Sequence, residues 1–204
     1  MRLLFMGPQA SGKGTQAKII SKKLEIPHIS TGDLLRNVEG ELKEEIDSYM
    51  NQGMLYPDEG MIRILKERFK EDDTDNGFIL DGFPRNLKQA EMLDEITEID
   101  KVVEIHVDEE RTIQRILNRL NCPNCGALFN AVKHKPKVEN ICDDCGSGLI
   151  KRKDDTEEAI RKRLEIYERD TKPVLEHYKG RVVRVDGGIG IKNVTEAILE
   201  KLKV

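Results

Sequence analysis

The sequence predicts an α/β fold built on a mainly parallel, five-stranded sheet, and three observations carry that reading. Short apolar runs at 3–6, 27–29, 78–80, 102–107 and 182–185 recur along the chain. Amphipathic stretches at helical spacing separate them, the rhythm of strands joined by helical crossovers. The first run also falls straight into Gly7-Pro-Gln-Ala-Ser-Gly-Lys-Gly-Thr15, a glycine-rich loop that opens a helical stretch at Lys13. In such sheets ligands gather beyond the carboxyl ends of the strands, where Gly7, Asp81 and Asp108 stand.

The loop at 7–15 has the form of a phosphate cradle. Glycines let the backbone turn its N–H groups inward, the helix N-terminus adds partial positive charge, and Lys13 brings a full charge to the outer phosphates. After Gly12-Lys13 comes Gly14 rather than a hydroxyl residue, and Thr15 follows. Magnesium is therefore expected to be held mainly through water and substrate phosphates, with Asp33 and Asp81 as outer carboxylates.

Two intervals are too long for ordinary crossovers. Residues 30–76 carry helical patterns at 41–52, closed by Gly53, and at 59–70, which predicts a small helical insertion. Residues 120–151 are rich in Asn, Gly, Pro and Asp and hold all four cysteines, so this interval needs its own means of staying folded. Cys122-Pro-Asn-Cys125-Gly and Cys142-Asp-Asp-Cys145-Gly have the spacing of a four-thiolate zinc ribbon. Iron would also suit four thiolates, and two disulfides are the other alternative. Four sulfurs complete a tetrahedral shell, which predicts a structural metal and leaves His134 as a surface residue. Gly126 and Gly146 suit turns with positive φ.

After the third run comes Asp81-Gly82-Phe83-Pro84-Arg85, with Gln89 one turn on. Asp81 stands where a strand-end carboxylate would face magnesium-bound phosphate. The competing reading is a buried aspartate capping a helix. Arg36 follows Ser30-Thr31-Gly32-Asp33-Leu34-Leu35, Arg115 and Arg119 precede the cysteine interval, and Arg152 and Arg163 follow it. Phosphoryl transfer asks for such a set, because the protein works mainly by positioning and by stabilising spread negative charge. The histidines fall outside these motifs. A nucleotide phosphate with a second pKa of about 6 is already mostly ionised at neutral pH and needs no base, which favours a phosphate acceptor over a hydroxyl.

Composition bounds the function classes. The chain has 204 residues, 35% of them charged, a net charge of −4, 4% aromatics and no Trp. This describes a mildly acidic enzyme rather than a dedicated nucleic-acid binder, which would carry a basic excess. The first apolar run is too short for a signal peptide, and no stretch approaches the roughly 18 apolar residues of a membrane span. A cytoplasmic location, no membrane partner and no nucleic-acid partner are expected.

Together these motifs give the chain its resemblance to adenylate kinases of the long type with a four-cysteine zinc lid, over essentially its whole length. The resemblance implies the P-loop nucleoside monophosphate kinase fold, with a core at 1–29, 60–119 and 153–204, a monophosphate-binding insertion at 30–59 and a lid at 120–152. It implies reversible phosphoryl transfer from MgATP to AMP, giving two ADP, by a monomer. ATP would be bound by Ala10, Ser11, Gly12, Lys13, Gly14, Thr15, Arg115, Arg119, Leu128, Phe129 and the backbone at Ile189. AMP would be bound by Thr31, Arg36, the backbone of Met54, Leu55 and Tyr56, then Gly82, Phe83, Pro84, Arg85, Gln89, Arg152 and Arg163. Lys13, Arg36, Arg85, Arg119, Arg152 and Arg163 would act on the phosphates. A UMP or CMP kinase of the same fold, and an ATPase bearing a nucleic-acid-binding zinc ribbon with basic Lys133, Lys135 and Lys137, are the rival readings.

Overall fold

The computed structural model describes residues 1–51, 56–151 and 155–204. Strands β1 (Arg2–Met6), β2 (His28–Ser30), β3 (Phe78–Asp81) and β4 (Lys101–His106) match the first four apolar runs. The cysteine interval and its approach contribute β5 (Arg119–Asn121) and β6 (Leu128–Asn130), and β7 (Val182–Asp186) matches the last run. Helices are α1 (Lys13–Leu24), α2 (Thr31–Arg36), α3 (Glu41–Asn51), α4 (Asp58–Arg68), α5 (Leu87–Asp94), α6 (Glu109–Leu117), α7 (Glu157–Ile166), α8 (Val174–His177) and α9 (Ile191–Leu202).

The main sheet is wholly parallel, in the order β2-β3-β1-β4-β7. Its strands are apolar on both faces because both faces are covered. Successive side chains alternate between two cores. Leu4, Met6, Leu80 and Val102 face Ile46, Leu65, Leu93 and Val174, contributed by α3, α4, α5 and α8. Leu3, Phe5, Ile79, Val103 and Val185 face Ala17, Ile20, Val194 and Ile198 of α1 and α9. The apolar runs thus set both the strands and the three-layer packing.

Local chemistry starts the helices around the cleft. Ser30, Asn86, Asp108 and Thr156 each cap the helix that follows, accepting the N–H of Asp33, Gln89, Arg111 and Ala159 respectively. Asp108 is thereby explained as a cap. Asp81 is not one, since Asn86 takes that place before α5.

The cysteine interval is a hairpin of β5 and β6 extended by bridges Asn121–Ile150, Asn130–His134 and Ile141–Gly148. Its core is small, namely Leu120, Cys122, Phe129, Cys142 and Leu149, too little apolar area to hold such a segment by itself. Among the described residues, no helix is long and apolar enough to cross a membrane.

Candidate active site

The β1–α1 loop is held in its curve by close packing. Gly7 has φ 143°, and a Cβ there would lie 2.3 Å from the Ile105 carbonyl oxygen of the adjacent strand, so side chains are excluded. Gly12 caps α1 at φ 103°, which leaves the first helical N–H groups facing the loop opening. Lys13 Nζ donates to the carbonyls of Gly7 and Pro8 at 2.9 and 3.0 Å. The amine is thereby set at the mouth of the loop by the loop itself.

Charged groups converge on that amine from distant parts of the chain. Burial lowers the Lys13 pKa, Asp81 opposes the shift, and the Arg85 and Arg119 guanidiniums lower it further. Arg85 is lowered likewise by desolvation in the cleft, opposed by Asp81 and reinforced by Arg163. Four cations, Lys13 at the start of α1, Arg85 in the β3–α5 loop, Arg119 at the start of β5 and Arg163 on α7, therefore repel one another between the carboxylates of Asp81 and Asp155. Such a cluster is costly when empty and suits a polyanion.

The Asp81 carboxylate lies at the cradle, since a Cβ on Gly14 would be 3.4 Å from its Oδ2. His28 Nε2 stands 3.7 Å from the same oxygen. Asp81 thus fits the outer-carboxylate role toward magnesium. The Asp33 carboxylate is instead paired with Arg36 of its own helix turn.

On the side of the helical insertion, Thr31 is buried and its Oγ1 donates to the Asp81 carbonyl at 3.3 Å. Gly82 (φ 88°) sits so close that a Cβ would lie 2.8 Å from that hydroxyl. Phe83 and Pro84 form a buried cis pair ahead of Arg85. The Arg85 N–H donates to Gln89 Oε1 at 2.7 Å, and its Nε donates to the Gly82 carbonyl at 2.8 Å. Gln89 Nε2 in turn donates to Asp58 Oδ1 at 2.7 Å. One neighbour must donate and the other must accept, so the Gln89 amide has a single orientation. Tyr56 is buried against α4. Met54 and Leu55 lie outside the described residues, as does Arg152.

Beside the cysteine interval the buried Arg119 grips Asp155 through Nη2 at 2.7 Å and Nε at 3.1 Å, with Arg163 Nη1 3.9 Å from the same carboxylate. Arg115 donates to the carbonyls of Ala10 (3.3 Å), Ser11 (3.2 Å) and Gly187 (2.7 Å), fastening the cradle to the loop after β7. Leu128 and Ile189 are exposed, whereas Phe129 is buried in the lid core and its ring stacks on His134. The sequence reading gave no role to Asp155 or Gly187. The first lies 36 residues from its partner, and the second is fixed by packing, since a Cβ there would meet Val107, Ile105 and Ser11 within 2.8 Å.

The four cysteines meet. All of their Sγ atoms lie within 4.8 Å of one another, with Cys122–Cys145 at 3.4 Å and Cys125–Cys142 at 3.5 Å. Tetrahedral Zn–S bonds of about 2.3 Å require sulfurs about 3.8 Å apart, which this cage fits. The knuckles repeat one backbone pattern, Gly126 N–H to Cys122 carbonyl and Gly146 N–H to Cys142 carbonyl. Both glycines have positive φ, 69° and 75°.

A glycine-rich loop joining strand to helix, at the carboxyl edge of a parallel sheet and ringed by cations, defines the class: a P-loop protein of the nucleoside monophosphate kinase fold. The family model of adenylate kinase matches residues 5–183. The adenylate kinase of Archaeoglobus fulgidus is 47% identical over 216 aligned positions, and that of Caldicellulosiruptor bescii is 45% identical over 214, each covering 100% of both chains. That of Caldanaerobacter subterraneus subsp. tengcongensis is 46% identical, covering 99% of this chain and 96% of its own. The chain belongs to the adenylate kinase family, and is accordingly a phosphotransferase.

Proposed function

We propose that the protein transfers the terminal phosphoryl group of MgATP reversibly to AMP, forming two ADP, in the balance of adenine nucleotides. The observation that carries this reading is the convergence of Lys13, Arg85, Arg119 and Arg163 on one cleft between Asp81 and Asp155. The two sides of the cleft divide the substrates. Ala10, Ser11, Gly12, Lys13, Gly14 and Thr15 would wrap the ATP phosphates, with Arg115, Arg119, Leu128, Phe129 and Ile189 on the side of its base. Thr31, Arg36, Met54, Leu55, Tyr56, Gly82, Phe83, Pro84, Arg85 and Gln89 would hold AMP, and Arg152 and Arg163 would close over the phosphates.

Transfer would then proceed by orientation and charge. Lys13 follows the moving group, Arg85 fixes the acceptor phosphate, and the arginines of the lid hinge neutralise charge that spreads in the transition state. Asp81 would hold the water shell of a bound magnesium ion, with Asp33 further out, and the ion would supply positive charge against the phosphates. The Arg119–Asp155 pair reserves a guanidinium at the hinge until phosphates compete for it. The insertion at 30–59, the lid at 120–152 and the remaining core would move relative to one another, and closure would exclude water from the transfer. Zinc is the metal proposed for the four thiolates, in a structural role. A cytoplasmic monomer that binds no nucleic acid completes the reading.

Lys13→Met tests the central role. Turnover should fall by about 100-fold or more, the scale seen when a charge stabiliser is removed. Near-normal turnover would refute the assignment.

A further inference from the structure

Helix α7, which carries Arg163, runs without a break into a π-helical turn, Tyr167–Thr171, closed by the Lys172 N–H on the Tyr167 carbonyl at 2.8 Å. A π turn spends one extra residue, and so turns every later side chain by roughly 100° relative to an uninterrupted α-helix. Here it brings the Thr171 hydroxyl onto the Arg85 carbonyl, to which Oγ1 donates at 2.8 Å across 86 residues of sequence. Both backbone polar groups of Arg85 are therefore held: Gln89 Oε1 accepts from its N–H and Thr171 donates to its carbonyl. The Arg163 guanidinium, on the same helical rod, is close enough to lower the Arg85 pKa.

We infer that Thr171 is a positioning residue for the reaction. Its hydroxyl seats the Arg85 backbone, so that the guanidinium meets the acceptor phosphate in register with Arg163. The inference rests on the assignment of Arg85 to AMP. With the Arg85 carbonyl released, the loop keeps its fold through Gln89, but the arginine loses its fixed height in the cleft.

The test compares the full-length protein with Thr171→Val, Thr171→Ser and Arg85→Ala in steady-state kinetics for both substrates, with melting temperatures alongside. Thr171→Val keeps the shape and removes the donor. It should raise KM for AMP about five- to tenfold, the scale of one lost hydrogen bond, lower kcat and leave KM for ATP unchanged, while Thr171→Ser returns the AMP values toward the parent. An unchanged KM for AMP in Thr171→Val, an equal rise for ATP, or failure of serine to restore the values would overturn the inference. If Arg85→Ala itself spares AMP, the underlying assignment falls and takes this inference with it; if it damages AMP use while Thr171→Val does not, only the role of Thr171 is lost.

Discussion

Asp33 shows how a residue-scale contact decides both geometry and pH behaviour. Burial raises the pKa of its carboxyl, but the hydrogen bond and charge of Arg36 outweigh that and hold it below the ordinary 3.8. A group depressed on folding contributes stability that is fully present above 3.8 and lost as pH falls through its lower folded value. The stability gap between the parent and Asp33→Asn should therefore be present at neutral pH and close as denaturation is followed downward below pH 4; a gap independent of pH would contradict the pairing. Neither partner looks unusual in the sequence, where Asp33 reads equally well as a magnesium ligand in the outer shell. Gln89 is similar. The motif suggests a polar contact, yet only the fold shows its amide held between Asp58 and Arg85. The sequence shows Arg115 only as a cation ahead of the cysteine interval, which the resemblance gives to ATP, and the structure shows it fastening the cradle through three carbonyls. Such contacts join residues far apart in sequence, and periodicity carries no information about them.

Among elements, the strands and the cradle were legible because their causes are local. An apolar run buried on both faces and a glycine-rich turn each write themselves into consecutive residues. The two cysteine knuckles were legible for the same reason, including the positive φ of Gly126 and Gly146. Short pieces were not: the hairpin of β5 and β6, three residues each, has no room for a pattern, and the turn at Tyr167–Thr171 depends on backbone bonds of unusual span. The lid also yields the clearest prediction for an element. With so small an apolar core it should depend on its metal. The protein is expected to carry about one zinc per chain, and strong chelation or Cys142→Ser should expose 120–151 to proteolysis while the parallel sheet stays protected. A metal-free protein whose lid resists protease as well as before would contradict a structural role.

For the whole molecule, strand order creates the site. β1 lies between β3 and β4, so the loop that leaves it is flanked by the Asp81-Gly82 turn on one side and by α6 with the lid on the other. Crossovers over both faces bury the strands and leave the carboxyl edge open. Lys13, Arg85, Arg119 and Arg163 arrive at that edge from separate elements, which a string of motifs could suggest and only the topology assembles. The central claim is that this edge joins two nucleotides through a moving phosphoryl group. It is tested most directly by a coupled assay of ADP formed from MgATP with AMP, UMP, CMP or GMP as acceptor, beside an acceptor-free control. The account predicts that AMP drives ADP formation far above both the control and the other monophosphates. Preference for another monophosphate, or hydrolysis that proceeds equally without an acceptor, would contradict it.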